Sequence, residues 1–193
     1  KESEEKLLQH FWINIEHKIP KSFIEPSAAD SNYSDIAYHR YTDALLKLGP
    51  DEARITNAMM GLESVFLRDG GELQELSYRL RFRVAKLISI FGYDPFEVKK
   101  IVQDAYEVRS KFVHGGLLDF NKKEELTEKY GSMNNLIEKI LDFLRLTIIV
   151  SILIPVSKDE LVSTIDKSFL ASAHQERLIQ LITPVKNILE LAN

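Results

Sequence analysis

The chain is predicted to be all-helical, on three observations. Apolar residues recur every three to four positions through nearly every segment. No polar–apolar alternation persists long enough to suggest a strand. Only 8 Gly and 6 Pro occur in 193 residues, too few for a loop-rich chain.

The elements follow in order. Leu7, Leu8, Phe11, Trp12 and Ile15 make a stripe on a first helix, about 3 to 17. Residues 18 to 33 hold Pro20, Pro26 and the small polar cluster from Ser27 to Asn32, and read as a linker. A helix over 34–48 stops at Gly49. Pro50, Asp51 and Glu52 open the next, because proline and acids suit a first helical turn. Its stripe is Ile55, Met59, Leu62 and Phe66, and Asp69-Gly70-Gly71 breaks it. The helix over 72–91 carries Leu73, Leu76, Leu80, Val84, Leu87 and Phe91. Gly92 ends it, and Asp94-Pro95 restarts with a capping side chain followed by proline at the first position. That helix runs to His114, where Gly115-Gly116 stops it. Residues 117 to 131 are ambiguous, with room for one short helix. A long helix over 132–154 is closed by Pro155. The tail, 157 to 192, reads as two more helices, with Pro184 kinking or splitting the last. The helices 50–68, 72–91, 94–114 and 132–154 are expected to form a four-helix bundle flanked by the rest.

The length fits one domain, or one domain with an appended piece, divided as 1–33, an N-terminal helix and linker, and 34–193, the helical domain, with its core motifs in 50–154. Cysteine is absent, which excludes disulfides, zinc–thiolate sites and thiol nucleophiles and agrees with a cytoplasmic placement. The net charge of -4 excludes a generally basic nucleic-acid binder, so any such contact needs a local patch. The most apolar stretch, Leu146 to Val156, is too short to span a bilayer and reads as a buried helix, so no membrane is expected. A start at Lys1 rather than Met suggests a fragment of a longer protein. No signal peptide is visible.

Arg109 and His114 are the most informative pair. At about 100° per residue, Val98, Ile101, Val102, Ala105, Val108 and Phe112 fill one arc of their helix, and Arg109 falls inside it. A charge on a core-facing arc needs a partner, a wet cleft or a ligand. Glu63, bordering the apolar stripe of the 50–68 helix, is the internal candidate. Two readings stand. In one, Arg109 and Glu63 are a structural ion pair and the His114 ring caps the helix end. In the other, a permanent cation and a side chain of the type that titrates near neutral pH handle phosphate together. Five positions on an ideal helix separate two side chains by about 140° and roughly 7.5 Å. Convergence therefore requires fraying at Gly115 or a groove completed by a second copy.

A basic run, Arg79, Arg81, Arg83 and Lys86, lies in a stretch with no acid between Leu76 and Tyr93. Arg79, Arg83 and Lys86 share a stripe beside the apolar one, which reads either as a phosphate-tracking surface or as a solvated face. His10, His17, His39 and His174 lack metal-ligand spacing, so no metal site is expected. No Walker loop, dinucleotide fingerprint or nucleophile elbow occurs.

Three segments carry a resemblance: Gly61-Leu-Glu-Ser-Val-Phe66, Glu75 through Ala85, and Tyr106 through Gly116, the last containing Arg109-x4-His114 followed by glycines. In this order they resemble the HEPN superfamily, most closely its ApeA-like branch, over about a third of the chain. The resemblance implies an all-helical bundle that often dimerises, and a metal-independent RNase or an inactive RNA- or nucleotide-binding module. It also implies that the domain follows a larger N-terminal region in a toxin, antiphage or stress protein. On this likeness Arg109, His114, Glu63 and Ser110 are the expected catalytic group. Ser110 stands where many members carry another polar residue, and it can itself hydrogen-bond. Arg79, Arg83, Lys86 and Lys111 are the expected substrate contacts. The expected partners are RNA or a nucleotide and a second copy of the chain, with no cofactor.

Overall fold

The computed structural model describes residues 32–46, 49–67 and 75–190, together with Ile13, Lys18 and Ile19. Among the described residues there are eight helices and no strand. They are α1 (Tyr33–Leu45), α2 (Asp51–Phe66), α3 (Leu76–Ser89), α4 (Pro95–Val113), α5 (Phe120–Tyr130), α6 (Met133–Leu153), α7 (Lys158–Ser168) and α8 (Ser172–Glu190). The expected helix at 3–17, the linker at 18–33 and the break at Asp69-Gly70-Gly71 lie outside the described residues, apart from Ile13, Lys18, Ile19, Asn32 and Tyr33.

Most helices begin where a short polar side chain satisfies the free amides of the first turn. Asn32 and Asp35 form a reciprocal capping box on α1. Asp94, Asp119, Ser132 and Ser157 each accept from a first-turn amide of the helix that follows. α3 departs from this. Its boundary residue Glu75 is left-handed (φ 64°) and offers no side-chain cap. That backbone cannot belong to a right-handed helix, so α3 begins at Leu76 rather than at the expected 72.

Two other segments bear on the expected elements. The ambiguous segment 117–131 contains α5, closed by Gly131 in the left-handed region (φ 81°). Pro184 does not split the tail: α8 continues through it. The missing amide at this exposed position removes one intrahelical bond, and the surrounding turns hold.

The four helices expected to form the centre, now α2, α3, α4 and α6, touch one another in every pairwise combination. α1 packs on α2 and α6, α5 on α6, and the α7–α8 pair on α3 and α6. One core joins them, with Ile55, Met59 and Leu62 from α2, Leu80, Val84 and Leu87 from α3, Val98, Val102 and Ala105 from α4, and Leu136, Ile140 and Leu144 from α6. Gly61 permits the close approach of α2 to α6. A Cβ there would lie 2.7 Å from Leu144 Cδ2 and 3.4 Å from the Ala37 carbonyl oxygen. No single helix among the described residues is long and apolar enough to cross a membrane.

Candidate functional site

Arg109 and Glu63 meet where α4 packs on α2. Val98, Ile101, Val102, Ala105 and Val108 are buried as the periodicity predicts, and they fix which face of α4 points inward. Arg109 lies at the edge of that face. Its Nη2 donates to Glu63 Oε2 at 3.0 Å. The side chains are 23% and 17% exposed, so the pair is neither fully solvated nor sealed. The Tyr106 ring lies 5.6 Å from the guanidinium carbon and supports it from the same helix. Nε of Arg109 is buried without a hydrogen-bond partner. Burial pushes the Glu63 carboxyl above its ordinary value of 4.5, against the opposing pull of Arg109. The carboxylate thus gives up hydration to hold the cation.

His114 is the residue at which α4 ends. Its backbone N–H donates to the carbonyls of Ser110 and Phe112, and Gly115 follows in the left-handed region (φ 83°). The cap is therefore made by the main chain. The imidazole is exposed, and among the described residues it makes no hydrogen bond or ion pair, so it does not cap the helix. The 3.3 Å bond from His114 N to Ser110 O keeps the last turn regular. Fraying at Gly115 does not bring Arg109 and His114 together. With the regular turn preserved, the two side chains leave the helix about 140° apart. Ser110 is half-buried between them.

Lys111 belongs to a different arrangement. Its Nζ meets Asp119 Oδ2 at 2.5 Å, clipping the end of α4 to the start of α5. The Lys111 hydrogen bond, aided by the Lys122 amide, holds the Asp119 carboxyl below its usual range.

The basic run divides. Arg83, expected on the surface, is buried, with 7% of its side chain exposed. Nε and Nη2 donate to the two carboxylate oxygens of Asp166 on α7, both at 2.8 Å, and Nη1 donates to the Phe66 carbonyl at 2.7 Å. With Nε, Nη1 and Nη2 all donating to protein acceptors, Arg83 offers no free fork to a phosphate in this arrangement. Arg79 and Lys86 are half-buried and reach the surface. Lys86 Nζ lies 5.2 Å from the Phe169 ring and 3.4 Å from Gln175 Oε1.

Periodicity also passed over other buried charges, Arg54 and Asp104 among them. Arg54 donates to the Ala44 carbonyl at 3.0 Å and to Asn134 Oδ1 at 3.3 Å, tying α2 to the end of α1 and to α6. Asp104 is 3% exposed and accepts from the Tyr130 hydroxyl at 2.6 Å and from Lys129 Nζ, which docks α5 onto α4. Asp104 stands three positions after Ile101 and four before Val108, so the signal that singled out Arg109 applied to it as well.

Compared with known proteins, the chain matches no family model, no curated protein and no solved structure.

Proposed function

We propose that this chain is a metal-independent endoribonuclease of HEPN type, the C-terminal effector domain of a longer defence or stress protein. The observation that carries the catalytic reading is the accessibility of both polar heads. Arg109 is oriented by Glu63 and Tyr106 yet reaches solvent, and the His114 ring is exposed at the helix end. The placement in a longer protein rests on the resemblance of Gly61–Phe66, Glu75–Ala85 and Tyr106–Gly116.

RNA brings its own nucleophile, the 2′-hydroxyl. His114 takes that proton as the oxygen attacks phosphorus, and the 5′-oxygen leaves with a proton delivered by a protonated imidazole. The planar fork of Arg109 binds the scissile phosphate and offsets the charge of the crowded transition state, with Ser110 adding a hydrogen bond. The products are a 2′,3′-cyclic phosphate and a 5′-hydroxyl. Because Arg109 and His114 diverge on one helix, the complete site combines two copies of the chain, and His114 of the second copy supplies the acid. The surface near His114 suits such an assembly: Val113, Leu117 and Phe120 are 51%, 61% and 76% exposed.

A non-catalytic module is the second reading, and the 3.0 Å Glu63 bond favours it by giving Arg109 a structural partner. Cleavage of structured RNA in EDTA separates the two. His114→Ala is expected to lower the rate at least about a hundredfold. Because the ring is exposed, the melting temperature should hold. Equal cleavage by wild type and variant removes the nuclease. Binding with no cleavage by either protein leaves the non-catalytic module.

A further inference from the structure

The start of α4, the exposed side of α3 and the turn after α7 share a band in which aromatic rings and cations alternate. Tyr78 and Phe82, one helical turn apart, have ring centroids 4.5 Å apart at 39°. Phe169 meets Phe82 edge-on at 6.2 Å. The Arg81 guanidinium lies 5.2 Å from the Tyr78 ring. Lys99 Nζ lies 5.0 Å from the Phe82 ring and 6.0 Å from the Phe96 ring, and Lys86 sits over Phe169. Three of these rings are not core: Phe96 is 76% exposed, Tyr78 49% and Phe169 47%.

Many cations elsewhere in the molecule are taken up by acids. Lys111, Lys122, Lys129, Lys139, Arg145 and Arg177 each pair with a carboxylate. Among the described residues, Arg81, Lys86 and Lys99 pair with none. Arg81 donates to the Gln103 amide oxygen at 2.8 Å, and Lys86 faces the Gln175 amide. Arg81 Nε is buried without a partner. In a chain of net charge -4, three cations without carboxylates beside exposed rings form a local surface suited to an anion with flat apolar faces.

We propose that this band binds single-stranded nucleic acid, with bases stacked on Phe96, Tyr78 and Phe169 and phosphates meeting Arg81, Lys86 and Lys99. Ring faces accept unpaired bases of any sequence, and a duplex hides those base faces. The surface is separate from the nuclease centre. Phe96 and His114 stand at opposite ends of α4, about 27 Å apart along its axis. Binding here therefore does not depend on cleavage.

The test is fluorescence anisotropy of the full chain with a labelled oligothymidylate of about twelve nucleotides, long enough to cover such a site. This probe has no 2′-hydroxyl and resists the proposed cleavage chemistry. Single strand should bind in preference to a duplex of equal length. Phe96→Ala and Phe169→Ala should each weaken binding about tenfold. Phe96→Tyr, which keeps the flat face, should restore it. Lys99→Ala should flatten the salt dependence by about 0.7 in log–log slope. Equal affinity for duplex, an unchanged Kd in Phe96→Ala, or no binding at low salt overturns the proposal, and in the last case a protein is the better occupant. The outcome is independent of the nuclease: His114→Ala should bind the probe as wild type does, and loss of cleavage alone leaves this surface intact.

Discussion

Arg83 and Arg109 both lie along the apolar faces of helices in the centre of the molecule, yet their surroundings use them differently. Arg83 gives three bonds: two to Asp166 and one to the Phe66 carbonyl. Its side chain is 7% exposed. Arg109 gives one bond, to Glu63, and is 23% exposed. The first joins three elements, α3, α7 and the end of α2. The second joins two, α4 and α2, and reaches the surface. A buried guanidinium is structural when its neighbours supply enough acceptors to fill its fork, and available for a ligand when they do not.

The contrast can be broken by substitution. Arg83→Ala should produce the largest change in stability, a loss of about 3 kcal/mol in denaturant unfolding. It leaves the Phe66 carbonyl without its donor and Asp166 without its counter-ion. A loss below about 1 kcal/mol would show that the clamp contributes no more than a surface pair. Arg109→Ala should behave in the opposite way, with a loss of only about 1 kcal/mol in stability. Cleavage should fall about a hundredfold, the scale for removing one group that offsets transition-state charge. If instead the stability loss matches that of Arg83→Ala and cleavage is unchanged, the two arginines do the same job.

Glu63→Gln sharpens the comparison through pH and should show the smallest effect. Burial raises the folded-state pKa of Glu63 above its ordinary 4.5. In the window just above 4.5 the folded chain keeps a proton that the unfolded chain has released. The contribution of this group to stability is therefore present at low pH and declines as pH rises through that window. Glutamine does not titrate. The stability of wild type relative to Glu63→Gln should fall as pH is raised from below 4.5 toward neutrality, as read from urea midpoints. A difference independent of pH would contradict the desolvation of this carboxyl.

Much of the fold was legible from short-range signals. Asp94-Pro95 and Gly115 bound α4, and Ser132 with the Leu153–Pro155 segment bounds α6, because capping and backbone freedom act within a few residues. The start of α3 was misread because the left-handed backbone at Glu75 leaves no mark on residue type. Of the candidate site, the Glu63–Arg109 neighbourhood followed from two apolar stripes that had to face one another. The fate of Arg83 did not, because its acceptor is 83 positions away. The aromatic band was missed for the same reason. Tyr78 with Phe82, Phe96 and Phe169 come from three separate stretches that no single spacing links.

Residue order alone determined that this chain is helical, where its described helices largely begin and end, and that one arginine of α4 sits at the margin of an apolar face. Tertiary packing alone decided which cations are consumed by carboxylates and carbonyls and which stand beside exposed rings. The physical reason is range. Helical hydrogen bonds and caps are made between residues a few positions apart, whereas the acceptors and rings that surround a charge arrive from any helix that packs beside it.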